Sequence, residues 1–111
     1  MQLKKTKKER TPPLAVRRAE RQLAEHLLTW RKLRGMTQAQ LADRANISRD
    51  TLARLERGEA SISVENLLLV LRALGILDAI PRALDPLASD VGRLRSEQAL
   101  PERVRPRKLD G

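Results

Sequence analysis

Between Met36 and Gly58 two short helical patterns meet across a three-residue connection, Asn46, Ile47 and Ser48, and no other stretch constrains the fold as much. The first opens at Thr37, whose hydroxyl suits a helix cap, and carries apolar Leu41, Ala42 and Ala45. The second opens at Ser48, repeats Leu52 and Leu55, and stops at Gly58. The spacing predicts helices from about Gln38 to Ala45 and from about Arg49 to Arg57. Asn46 between them tolerates a left-handed turn conformation.

Helices are expected on both sides of this pair. Thr11, Pro12 and Pro13 make a helix start, and Leu23, Leu27, Trp30 and Leu33 follow at helical spacing up to Gly35, which predicts a long first helix over roughly 14 to 34. After the loop Ser61 to Ser63, Ser63 caps a fourth helix whose apolar stripe is Val64, Leu67, Leu68, Leu71 and Leu74, ended by Gly75. A fifth helix falls around Ile76 to Leu84, restricted by Pro81. Trp30, Leu52, Leu55, Leu67 and Leu71 are expected in the core.

The ends read differently. Lys4, Lys5, Lys7 and Lys8 dominate an opening with too little apolar surface to order itself, so residues 1–12 are expected to be a disordered basic arm. Residues 13–87 form the expected domain. Residues 88–111 read as a partly ordered basic tail: Val91, Leu94 and Leu100 allow an amphipathic turn or two, while Pro101 and Pro106 flank a basic run with Arg103, Arg105, Arg107 and Lys108. No internal repeat is apparent.

Composition narrows the class. Trp30 is the only aromatic residue, so the core must come from Leu, Ile, Val and Ala, which points to an all-α fold. The absence of cysteine excludes disulfides, thiolate metal sites and cysteine nucleophiles. No signal-peptide run or membrane-length apolar stretch is present, and the expectation is a cytoplasmic protein with no membrane partner. The formal charge is +9, concentrated at the start: residues 1 to 21 hold eight basic and two acidic side chains. Most of the excess therefore belongs to the arm and the first turns that follow it, not to the rest of the domain.

The central pair of helices reads as a helix-turn-helix, in which the second helix enters the DNA major groove and the first helix and flanking turns hold phosphates. If Leu52 and Leu55 face the core, then Arg49, Asp50, Ala53 and Arg54 face outward with Ser48 and Thr51 at the edge. Arginine pairs in bidentate fashion with guanine, and a carboxylate accepts from cytosine or orients an arginine.

The segment from about Leu27 to Ile76 resembles the Cro/C1-type, or XRE, helix-turn-helix family, a lambda repressor-like fold of five helices. The resemblance is carried by Arg31, Gly35-Met36-Thr37-Gln38, Leu41-Ala42, Ile47-Ser48, Leu52, Leu55-Glu56-Arg57-Gly58, Leu67 and Leu71-Arg72-Ala73-Leu74-Gly75. It implies that Arg49, Asp50, Ala53 and Arg54 read bases, that Thr37, Gln38, Ser48, Thr51 and Arg57 meet phosphate, and that Arg31 and Glu56 form a structural salt bridge. Asp50 departs from the family, which often has a small or amide side chain there. An acid at this position reads cytosine or clamps Arg49 or Arg54.

The expected function is a sequence-specific transcriptional repressor that binds a palindromic operator in double-stranded DNA as a homodimer. The apolar surplus over Leu74 to Leu87, including Ile76, Leu77, Ile80 and Leu84, is the candidate dimer surface. The layout of this domain followed by an arginine-bearing tail resembles HipB-like antitoxins, which implies a HipA-like kinase toxin as partner. The alternatives are a solitary phage-type or chromosomal regulator, and an interaction adaptor that has lost DNA binding. No enzymatic activity is expected, since there is no phosphate loop and no nucleophile beside a histidine. His26, the only histidine, has no companion ligands, so neither metal nor cofactor is expected.

Overall fold

The computed structural model describes residues 11–59 and 62–99. The lysines of the expected arm, Ser61, Leu100 and the basic run from Arg103 to Lys108 lie outside the described residues. The secondary structure is entirely helical among the described residues, and no helix is long and apolar enough to cross a membrane.

The chain divides into two compact units at Leu77 and Asp78. The first contains α1 (Leu14–Leu33), α2 (Gln38–Ala45), α3 (Arg49–Glu56) and α4 (Val64–Ala73). Caps define the starts. Thr37 accepts from the Gln40 N–H at 3.1 Å while the Gln40 side chain accepts from the Thr37 N–H at 2.9 Å, a reciprocal capping box. Ser48 and Ser63 accept from the N–H groups of Thr51 and Asn66, each at 3.0 Å.

A common device ends all four helices. The N–H of a residue two or three past the helix end closes back on a carbonyl five residues earlier: Met36 on Arg31, Ile47 on Ala42, Glu59 on Arg54, and Ile76 on Leu71. The residue preceding each closure, Gly35, Asn46, Gly58 or Gly75, has positive φ. This satisfies carbonyls that a helix end leaves without partners and reverses the chain within a few residues.

The tight reversals let α2 pack on α3 and α4, and α1 on α3. Their shared core is Ala24, Leu27, Met36, Leu41, Ala42, Ala45, Leu52, Leu55, Val70, Leu71 and Leu74. Trp30 is not part of it: the ring is 36% exposed, with the Arg34 guanidinium stacked 5.3 Å from its centroid. The core side of α1 passes through Ala24 and Leu27 to Arg31, and Trp30 falls about 100° away, beside solvent. Leu33 is exposed for the same reason. On α4 the buried side is centred on Val70, Leu71 and Leu74, which leaves Leu67 half-buried and Val64 exposed at the rim.

The second unit differs from the five-helix expectation. It contains α5 (Ala79–Leu84), a 3-10 turn (Pro86–Ala88) and a further helix, α6 (Asp90–Ala99), longer than the turn or two anticipated there. α5 starts at Ala79 instead of Ile76 because the Ile76 N–H is engaged in closing α4. Pro81 is tolerated because the first turn of a helix needs no N–H donor from it. Polar groups organise the chain from Asp85 to Arg93: Asp85 accepts from the Leu87 N–H at 2.9 Å, Ser89 from the Gly92 N–H at 3.0 Å, and Arg93 donates to the Leu87 carbonyl at 3.0 Å and pairs with Asp90. Gly92 lies against the 3-10 turn, where a Cβ would come within 1.9 Å of the Pro86 carbonyl oxygen. Residues 79–99 contain no buried side chain, and Leu84, Leu87, Val91 and Leu94 are exposed. Of the apolar surplus over Leu74 to Leu87, Leu74 is core, Ile76 and Ile80 are half-buried, and Leu77, Leu84 and Leu87 are exposed.

Candidate nucleic-acid interface

Leu52 and Leu55 anchor α3, with no exposure at Leu52 and 4% at Leu55. Helical geometry then turns Arg49, Asp50, Ala53 and Arg54 to the other side. Arg49 and Asp50 are exposed, and Ala53 and Arg54 are half-buried. Asp50 Oδ2 lies 3.3 Å from Arg54 Nε, an ion pair across one turn that lacks hydrogen-bond alignment. Arg49 has no carboxylate within 4.0 Å among the described residues, so its guanidinium is the uncompensated cation of this face. Of the two arginines that an acid at position 50 could clamp, the structure joins it to Arg54.

Ser48 and Thr51 form the first turn of α3. Besides capping, the Ser48 hydroxyl donates to Thr51 Oγ1 at 2.8 Å. Thr37 occupies the equivalent position before α2, with its side-chain oxygen engaged in the capping box. Arg57 follows α3 and donates through Nε to Glu59 at 2.8 Å, with both side chains about half exposed.

Behind this surface, α1, α2 and α3 meet at one carboxylate. Arg31 donates through Nε to Glu56 Oε2 at 2.7 Å and through Nη2 to Oε1 at 3.0 Å, and its Nη1 reaches the Met36 carbonyl at 2.9 Å. Gln38 Nε2 also donates to Glu56 Oε1, at 2.9 Å. The Arg31 and Glu56 side chains are 12% and 4% exposed. Two parallel charge-assisted bonds with additional partners provide the satisfaction that a nearly buried ion pair requires. The structure thus brings together Arg31, Gln38 and Glu56, and sets Arg49, Asp50, Ala53 and Arg54 along one side of α3. Arg57 stands apart with Glu59.

Some contacts escaped the sequence. The attachment of Gln38 to Glu56 spans 18 residues and has no local signature. Arg34 donates to the Leu74 carbonyl at 3.0 Å, placing a cation at the C-terminus of α4 from 40 residues away. Gly58, at φ +79°, lies against α1: a Cβ there would be 3.3 Å from Arg21 Cγ and 3.8 Å from Ala24 Cβ.

Residues 27–78 match a family described as helix-turn-helix. No curated protein and no solved structure matches the chain. The matched stretch begins at buried Leu27 and contains α2, α3 and α4 whole, together with the Arg31, Gln38 and Glu56 cluster. With its two capped short helices, left-handed Asn46 turn and glycine stops, the stretch from 27 to 78 is similar to the helix-turn-helix family whose model it matches.

Proposed function

We propose that the chain is a sequence-specific transcriptional repressor that binds a palindromic operator as a homodimer. Arg49, Asp50, Ala53 and Arg54 read base edges, while Thr37, Gln38, Ser48, Thr51 and Arg57 meet phosphates. The observation that carries this is Arg49: an exposed guanidinium without an acidic partner among the described residues, on the outward side of a capped α3 inside the stretch that matches the helix-turn-helix family. The Asp50–Arg54 pair tempers the charge of the next turn, so Arg49 makes the principal guanine contact.

Homodimerisation is supported by apolar Leu84, Leu87, Val91 and Leu94, which are exposed in the single chain. A HipB-like antitoxin role, with repression of its own operon and neutralisation of a HipA-like kinase, draws its support from the order of domain and basic tail. Copurification with the product of an adjacent kinase-like gene tests that refinement against a solitary regulator.

The readout is tested on a duplex selected by the chain from a random pool. Arg49→Ala should weaken binding to it by about 1 to 3 kcal/mol and relax preference at the contacted base pair. Unchanged affinity and preference would remove Arg49 from base reading. Failure of the native chain to select any duplex would favour an interaction adaptor.

A further inference from the structure

We infer that the N-terminal half of α1 is a second DNA-contacting element, with Arg17, Arg18 and Arg21 gripping the phosphate backbone beside the site read by α3; this rests on the DNA-binding reading above. α1 begins at Leu14, well ahead of residue 27, where the family match starts. Those additional turns contribute little to the core: Leu14 and Val16 are exposed, and the first buried side chain is Ala24.

The packing of Gly58 orients this extension. The Cβ position of Gly58 is 3.4 Å from Arg21 Cα and 3.8 Å from Ala24 Cβ, so the side of α1 shared by these two residues abuts the end of α3. At about 100° per residue, Arg17 falls on the same side one turn earlier, and Arg18 lies about a quarter turn away. One turn advances about 5.4 Å, which carries the arginine row past the end of α3. Arg57, assigned above to phosphate, immediately precedes Gly58 in the chain.

Charge selects the occupant. Arg17, Arg18 and Arg21 are exposed, and none has a carboxylate within 4.0 Å among the described residues, although Glu20 and Glu25 are on the same helix. Guanidinium groups match phosphate in bidentate geometry, and a row continuous with the end of the recognition helix meets successive phosphates of a strand without reading sequence.

The test uses the full chain and a mixed-sequence DNA duplex, with affinity measured over a series of salt concentrations. In R17Q/R18Q/R21Q the slope of log affinity against log salt should fall in magnitude by about two to three, since each lost phosphate contact removes about 0.9. R17K/R18K/R21K should retain most of it. R17Q/R18Q leaves the Arg21 packing on Gly58 intact and should lose about one to two, which guards against a folding defect in the triple variant. An unchanged slope in R17Q/R18Q, with the native chain still binding, would overturn the α1 contact and leave the DNA-binding reading standing. If the native chain binds no duplex, both fall. Loss of binding to phosphatidylserine vesicles with the duplex slope intact would assign the row to a membrane surface and equally overturn the proposal.

Discussion

The four helices between Leu14 and Ala73 and the helices between Ala79 and Ala99 are both rich in leucine, yet different forces hold them. In the first unit Leu27, Leu41, Leu52 and Leu74 are at most 2% exposed, and polar bonds such as Arg31 to Glu56 are layered around that core. In the second no side chain is buried among the described residues, and order comes from Asp85, Ser89, Arg93 and a backbone approach at Gly92. Leucine content alone therefore says little about where a core is. What matters is whether the chain reversals bring apolar sides to one another, and Gly35, Asn46, Gly58 and Gly75 do so only for the first unit.

The difference can be broken most forcefully at Leu52. Leu52→Ala should cost about 3 to 5 kcal/mol in denaturant unfolding, because it removes a completely buried side chain and leaves a cavity. Leu94→Ala, at a side chain 54% exposed, should change stability by less than about 0.5 kcal/mol in dilute protein. Equal losses at the two sites would erase the distinction. A Leu94→Ala penalty that appears only at high protein concentration would instead show that association covers this side of α6.

A smaller effect is expected at Glu56. Glu56→Ala leaves Arg31 nearly buried without its carboxylate and deprives Gln38 of its acceptor, at a cost of about 2 to 3 kcal/mol by thermal or chemical unfolding. A loss below about 1 kcal/mol would place the pair among ordinary surface ion pairs.

The smallest effect on global stability belongs to Gly92. Gly92→Ala puts a methyl group into the Pro86 carbonyl, so the α6 contact with the 3-10 turn must open. Hydrogen exchange should show faster amides in Asp90–Ala99, while the protection of α2 and α3 changes by less than about 0.5 kcal/mol. Coupled loss of protection in α2 and α3 would show that the two units do not fold independently.

Legibility in the sequence follows the range of the interactions. Thr37, Ser48 and Ser63 announced helix starts because a cap bonds three residues away, and Asn46 and the glycines announced reversals through their own backbone preferences. Outward placement of Arg49 and Asp50 followed from the spacing of Leu52 and Leu55. Trp30 and Val70 were misplaced or missed because periodicity gives an apolar stripe but not which edge of it meets the neighbouring helix. α6 was legible only in fragments, since Ser89 and Gly92 start it by local polar bonds and its apolar period is reduced to Val91 and Leu94. Gln38 to Glu56 and Arg34 to Leu74 depend on the finished fold.

The carboxamide of Gln38 is already tethered to Glu56 in the unbound chain. Freezing a long polar side chain at an interface ordinarily costs about 0.5 to 1.5 kcal/mol of rotamer entropy at the moment of association. Here that disorder is surrendered during folding, when the Arg31 fork locks Glu56 and Glu56 locks Gln38. The second amide hydrogen of Gln38 is thereby held in a set direction, so the phosphate contact proposed for it would meet a donor already ordered by the fold.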